Sequence, residues 1–183
     1  MKPQIRFTLD DSNKAGDAWK FNCGPGALCA VLDLTPDQLR PYLGDFERKG
    51  YMNPTMVMDT LKWRGVAFER IYRNEEPLTT WSIPNVPIGL MRTQSGGPWM
   101  KPGVPMAARY WHTHWVAIAN GTHVFDINAV CVGGWIPATE WREKLMPWLL
   151  KETCPKGDGT FWPTHVYDVK PDFSREAREG LHS

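Results

Sequence analysis

Apolar residues in the first third of the chain recur at helical spacing. Residues 27–32, ALCAVL, are small and apolar enough for a buried helix, and Pro25 fits its first turn, where no backbone N–H is needed. Thr35 and Gln38 have the spacing of a capping box, and Asn53 can cap a further helix. The pattern therefore predicts a helical N-terminal part.

Alternating apolar and polar residues take over after Gly65. The segments VAFERIYR, IGLMRTQ, THWVAIAN and THVFDIN are typical of strands, and Asn120-Gly121 between the last two is a strong hairpin signal. A last strand is predicted at FWPTHVYDV, at a sheet edge because of Pro163. The segment ATEWREKLMPWLLKE predicts a helix that is kinked or ended near Pro147. Helices followed by an antiparallel sheet predict an α+β protein.

Length and composition limit the domain count and the class of partner. The chain has 183 residues, so we expect one domain over residues 1–170 and a polar tail over 171–183. Hydrophobic residues make up 42% and the net charge is +1, which favours neither nucleic acid nor a membrane as partner.

A short strand is predicted at QIRFTL, near the N-terminus, followed by a loop. No apolar signal segment is evident there, so we expect a cytoplasmic protein with reduced cysteines.

Cys23 is the first candidate for chemistry. It precedes Gly-Pro-Gly at the start of the apolar helix, where free backbone N–H groups and the helix dipole favour a thiolate. We expect Gly24 and Gly26 to leave room for another molecule beside the sulfur. The alternative is a buried cysteine that packs as a small hydrophobe, which is what we expect of Cys29 and Cys131.

A nucleophilic cysteine needs a base, and HTHWVAIAN offers one. His114 begins an apolar strand, and His112, on the same strand face, is the reserve candidate; two imidazoles at this spacing also permit a metal site, but no third ligand appears. The Asn-Gly turn brings Asp126 back beside His114, where its carboxylate can orient the imidazole. Asn128 is the reserve orienting residue. The alternative interpretation is that Asp126 only ends its strand or caps the following turn.

These motifs resemble those of a known superfamily. The NCGPGAL box followed by HWVAIANGTHVFDIN is similar to the papain-like cysteine peptidases, most of all the bacteriocin-leader-processing branch and its uncharacterised bacterial and phage relatives. The likeness spans roughly residues 19–135, with gaps. It implies a papain-like α+β fold in which the nucleophile helix packs on a small antiparallel sheet. It also implies that Cys23 is the nucleophile, His114 the general base and Asp126 the orienting residue.

One feature departs from the family pattern. The resemblance implies a glutamine shortly before the cysteine, which would complete the oxyanion hole, but the segment DAWKFN has none and Asp17 is acidic. The candidates for the missing donor are Asn22, Lys20 and the indole of Trp19, beside the backbone N–H of Cys23.

The remaining expectations concern the cleft and the reaction. Trp99, Trp115 and Trp135 are expected at its rim as lids, covers or substrate platforms. The predicted function is a cysteine-dependent hydrolase, a peptidase, isopeptidase or amidase, that forms a thioester and needs no cofactor and no metal. Its partner would be a peptide or protein substrate. The alternatives are a transglutaminase-like or acetyltransferase-like acyltransferase with the same triad, and a non-catalytic papain-fold binding module.

Overall fold

The computed structural model describes residues 9–20, 22–132 and 134–171. Five helices form the N-terminal part, with a 3-10 turn between the third and fourth: α1 (Leu9–Trp19), α2 (Cys23–Leu32), α3 (Pro36–Leu39), the turn Arg40–Tyr42, α4 (Phe46–Lys49) and α5 (Pro54–Trp63). The predicted strand at residues 4–9 lies outside the described residues except for Leu9, and so does the predicted tail except for Pro171.

The second part of the chain builds an antiparallel sheet. Its six strands are β1 (Ala67–Arg73), β2 (Gly89–Ser95), β3 (Thr113–Ala119), β4 (His123–Phe125), β5 (Ile136–Pro137) and β6 (Phe161–Lys170). They lie in the order β1-β6-β2-β3-β4-β5, and every neighbouring pair is antiparallel. The predicted α+β class is therefore confirmed.

Short helices connect the strands. They are the 3-10 turn Pro98–Met100, α6 (Met106–Tyr110), the 3-10 turn Ile127–Val132 and α7 (Ala138–Glu140), which continues through a π-helical turn (Trp141–Leu145) into α8 (Met146–Thr153). Of the two predicted outcomes at Pro147, a kink or an end, the structure excludes the end, because the helix continues through this residue. The wide turn directly before Pro147 accommodates a residue that has no N–H to donate.

Local signals set several of these elements. Thr35 and Gln38 form the predicted capping box, and Asn53 accepts a hydrogen bond from the Met56 N–H at 2.9 Å. Asn120 and Gly121 both have positive φ, at 53° and 63°, as the tight turn between β3 and β4 requires. These three predictions are confirmed.

The sheet carries an apolar cluster on each face. Helix α2 packs against β3, and almost its whole surface is buried, which fits its lack of an amphipathic pattern. Trp115 and Ala117 belong to the cluster on the α2 face, whereas Val116 and Ile118 belong to the cluster under α7 and α8. The N-terminus of α2 is thereby fixed against β3.

Two further predictions were wrong. Residues 9–19 form helix α1 rather than a loop, because Ala15 and Trp19 bury one side of a helix on the core. Strand β6 lies inside the sheet between β1 and β2, although it contains Pro163. The register of the β2–β6 pair shifts beside Pro163, and this bulge accommodates a residue that cannot donate to the ladder.

Within the described ranges, none of the helices is both long and apolar enough to span a membrane.

Candidate functional site

Cys23 is the first residue of α2 and is partly exposed. The backbone N–H of Trp115 on β3 donates a hydrogen bond to its thiol, so the packing of α2 on β3 sets the position of the sulfur. The first N–H groups of a helix have no intrahelical partner, and they create a positive potential at this end. The sulfur therefore lies where the sequence places it, at a helix N-terminus.

The glycines beside Cys23 serve packing rather than access to the sulfur. Gly24 and Gly26 are both buried. A Cβ on Gly24 would lie 2.7 Å from the Met52 Cβ, and a Cβ on Gly26 would lie 2.6 Å from the Ile127 Cδ1. The expectation that they leave room for a substrate was wrong, because the space is filled by the protein core.

His114 and Asp126 converge on Cys23 from the sheet. The Nε2 of His114 lies 2.9 Å from the Oδ1 of Asp126, although this nitrogen makes no well-aligned hydrogen bond. The other ring nitrogen is left for Cys23, with which His114 forms a side-chain hydrogen bond. The structure thus brings together all three side chains that the sequence singled out.

The carboxylate of Asp126 is held by two further donors. The indole Nε1 of Trp141 donates to Oδ2 at 2.8 Å, and the backbone N–H of Asn128 donates to Oδ1 at 3.0 Å. Asp126 is 1% exposed and Trp141 is fully buried. Asn128 therefore contributes its backbone rather than its side chain, and Trp141 is a site residue that the sequence analysis missed.

The electrostatics of these groups favour a thiolate–imidazolium pair. Burial alone raises the pKa of Cys23, but the hydrogen bond and charge of His114 and the Trp115 N–H outweigh it, so the pKa is lowered. Burial lowers the pKa of His114, but the charge and close contact of Asp126 and the hydrogen bond with Cys23 raise it well above its ordinary value. Burial raises the pKa of Asp126, and His114, Trp141 and Asn128 reverse this, so its carboxyl stays ionised.

Cys23 and His114 open into a cavity of about 350 Å³ between the N-terminal helices, the sheet and α8. One wall is polar and includes Asn22, Thr93 and Ser95, while Met146, Leu149 and Leu150 of α8 form an apolar wall. None of the described side chains that line it is a carboxylate. This volume lies within the range of small-molecule and side-chain sites.

The candidate donors to an oxyanion differ in whether they line the cavity. Asn22 and Lys20 line the cavity, and the Asn22 side chain makes no capping bond to α2. Trp19 is 5% exposed, and its Nε1 donates to the Glu47 carboxylate at 3.1 Å. Trp19 was therefore a wrong candidate, because its N–H is already bonded to a residue of α4 and its side chain does not line the cavity. Asp17 is exposed and does not line the cavity.

The tryptophans expected at the rim lie elsewhere. Trp115 is 2% exposed in the core, where its Nε1 donates to the Met52 carbonyl. Trp99 is also buried, and the half-buried Trp135 packs near Phe125 without lining the cavity. Trp111 lines the cavity instead and is 83% exposed. Its neighbours in the sequence are polar or aromatic, and no pattern distinguished it from a surface residue.

The reserve base His112 belongs to a different pair. Its Nδ1 lies 3.3 Å from the Sγ of Cys154, and its ring stacks on Trp99 with 3.4 Å between ring centroids. Both members of this second pair line the same cavity as Cys23. Cys29 is buried as expected, and the side chain of Cys131 lies outside the described part of the chain.

The chemistry open to this site follows from the order of its three groups, with the imidazole between the thiol and the carboxylate. A thiolate at a helix N-terminus, an imidazole and a buried carboxylate can attack a carbonyl carbon, move a proton to a leaving group and release the acyl group to water. Comparisons of this chain with protein-family models, curated proteins and solved structures found no match.

Proposed function

We propose that this protein is a papain-like, cysteine-dependent hydrolase that cleaves an amide bond, in a peptide or isopeptide, through a thioester on Cys23. The observation that carries the proposal is the chain of contacts from Cys23 through His114 to Asp126. It is supported by the opposite pKa shifts of Cys23 and His114, because a lowered thiol and a raised imidazole are what a nucleophile and its base require.

The reaction proceeds in two balanced steps. The Cys23 thiolate adds to the carbonyl carbon, the C–N bond breaks, and His114 transfers its proton to the departing amine. Water then adds to the thioester while His114 takes its proton, the C–S bond breaks, and the acid leaves. Asp126 remains ionised throughout and stabilises the imidazolium.

The oxyanion that forms in both steps needs donors. The backbone N–H of Cys23 and the side chain of Asn22 or Lys20 are the groups placed for this role, since all three residues line the cavity beside the sulfur. The apolar wall of α8 favours an acyl group with an apolar side chain. A cytoplasmic location is part of the proposal, because a reducing compartment keeps the Cys23 thiol free.

Acyl transfer from p-nitrophenyl acetate tests the proposal without knowledge of the natural substrate. We expect a burst of p-nitrophenolate, an acetyl group on the Cys23 peptide by mass spectrometry, and continued turnover as water releases acetate. Cys154→Ala is the matched thiol control and should retain the burst, whereas Cys23→Ala should lose it. Acetylation confined to Cys154, or no burst, would contradict the proposal.

Added glycinamide separates hydrolysis from transfer. A hydrolase keeps releasing mainly acetate, whereas a transglutaminase-like or acetyltransferase-like enzyme converts the amine to acetylglycinamide as the main product. A binding module without catalysis gives neither product.

A further inference from the structure

Arg92 is a buried cation with no evident counter-charge. It lies on β2 and is 2% exposed, and among the described side chains it is the only buried arginine or lysine. Burying a guanidinium without an anionic partner is costly, and such groups are normally paired. Its partner therefore needs to be identified.

The direct contacts of Arg92 are all weak or neutral. Its Nη1 lies 3.5 Å from the Thr164 Oγ1, its guanidinium lies 4.9 Å from the ring centre of Tyr110, and its Nε has no hydrogen-bond partner. A hydroxyl and an aromatic face do not neutralise a full positive charge. Among the described residues, no carboxylate forms an ion pair with it.

The titratable neighbours on the other strands do not supply that charge either. His165 pairs with Arg92 across β2–β6, and burial together with the Arg92 charge lowers its pKa to about 4, so it is neutral. Glu75 is within electrostatic range, but its carboxylate is bonded to Arg73 at 3.0 Å. The buried Tyr167 hydroxyl has a raised pKa, mainly because of burial, and stays protonated.

The register of the sheet places Arg92 next to the nucleophile. Arg92 pairs directly with Trp115 on β3, and the Trp115 N–H donates to the Cys23 thiol. Leu90, two residues before Arg92 and so on the same sheet face, packs in the cluster that contains α2. The Arg92 side chain therefore leaves the sheet on the α2 face, and Cys23 is among the groups whose charge acts on its guanidinium.

We propose that Arg92 is a positioning residue that acts as the buried counter-cation of the Cys23 thiolate. This inference rests on the proposed function and deepens it. In the ion-paired state, Cys23 and Asp126 carry two negative charges against the one positive charge of His114, and Arg92 makes the buried set neutral. Burial lowers the pKa of Arg92 to about 10, and Tyr110, Glu75 and then Cys23 act against this.

A variant that tests this role must remove the charge of Arg92 and leave the other groups around Cys23 in place. On the cavity side they are His114 and the exposed Lys20, together with the His112–Cys154 pair, and Asp126 is buried behind His114. Arg92 lies on β2 and does not line the cavity, so its removal leaves those contacts in place. Arg92→Met and Arg92→Gln both remove the charge, and Arg92→Lys retains it.

The test is the pH dependence of carboxamidomethylation of Cys23 by iodoacetamide, followed on the Cys23 peptide. Removing the charge should move the midpoint of thiolate formation up by about one pH unit, and so slow labelling on the acid limb about tenfold. Arg92→Lys should keep the midpoint near that of the wild type. Arg70→Met, which removes an exposed arginine from β1, is the matched control and should change nothing.

A measurement on the wild-type protein covers the case in which the neutral variants do not fold. The ¹⁵Nε resonance of Arg92 should shift with the same midpoint as Cys23 labelling. An unchanged midpoint in both folded neutral variants, or a resonance that does not follow Cys23, would overturn the role of Arg92 and leave the hydrolase proposal standing. A wild-type Cys23 that titrates like an ordinary thiol would instead remove the proposed function.

Discussion

The indole of Trp141 donates to Asp126 across 2.8 Å in the buried layer behind His114. Trp141 begins the π-helical turn between α7 and α8, whereas Asp126 directly follows β4. This bond therefore ties the C-terminal helical segment to the carboxylate that orients the imidazole.

Trp141→Phe should weaken the site without emptying the core. The ring remains, but the Asp126 carboxylate loses a buried donor, and a hydrogen bond to a charged group contributes about 1.5–3 kcal/mol. We expect lower stability toward urea, a higher midpoint of Cys23 labelling and slower acetyl turnover. The matched control is Trp81→Phe, because the Trp81 indole also donates a hydrogen bond, to the Phe161 carbonyl at 2.9 Å. A labelling midpoint that moves equally in both variants would contradict this role of Trp141.

Gly26→Ala should destabilise the fold. The added methyl would lie 2.6 Å from the Cδ1 and 2.8 Å from the Cβ of Ile127, so α2 or the segment after β4 has to move. Overpacking of this kind costs about 1–3 kcal/mol, measured by urea unfolding. Gly16→Ala in α1 is the control, since its Cβ would meet only Asn22 at 3.6 Å. That change should stabilise the protein by about 0.5–1 kcal/mol.

Trp111→Ala should reduce the use of long acyl groups. The side chain is 83% exposed and lines the cavity, so it can cover a bound chain while contributing little to folding. We expect kcat/KM for p-nitrophenyl hexanoate to fall about three- to tenfold, with the value for the acetate unchanged. Trp148→Ala, at a tryptophan of α8 that is 56% exposed and does not line the cavity, should affect neither ester.

His165 should make the protein sensitive to acid. Its pKa is lowered to about 4 in the folded state, mainly by burial and then by the charge of Arg92, and is about 6.5 when unfolded. The unfolded chain therefore binds more protons between these values, so stability is lost as the pH falls through this window. The loss is at most about 3 kcal/mol. His165→Gln should flatten the dependence of unfolding free energy on pH from 6.5 to 4, and an unchanged slope would contradict the assignment.

Local sequence signals were enough to find the three side chains that converge at the candidate site. A cysteine before a glycine-rich helix start, a histidine at the start of an apolar strand and an aspartate beyond an Asn-Gly turn each have a local physical reason. The turn also fixes which residues of β3 and β4 are opposite each other, and this brings Asp126 back toward His114. The α+β class was predictable for the same reason, because both helix caps and strand alternation are local.

Properties that depend on long-range packing were not predictable. Trp141 contacts Asp126 from a π-helical turn that no residue pattern indicated. Arg92 lies on β2 between β6 and β3, and these strands are far apart in the sequence. The tryptophans could not be sorted from the sequence, since Trp115 fills the core and Trp111 is exposed although both are near His114. Pro163 indicated an edge strand because proline cannot donate to a ladder. The bulge that accommodates it inside the sheet has no signal in the sequence.

Carboxamidomethylation of Cys23 as a function of pH tests the central claim most directly. Cys154, which has its own histidine, and the buried Cys29 are followed in the same digest as internal references. We predict that at pH 6 Cys23 reacts faster than Cys154 and Cys29, because its labelling rate begins to rise well below the ordinary thiol pKa of about 8.5. His114→Ala should abolish this labelling at low pH. A Cys23 whose labelling rises only near that ordinary value, with or without His114, would contradict the account.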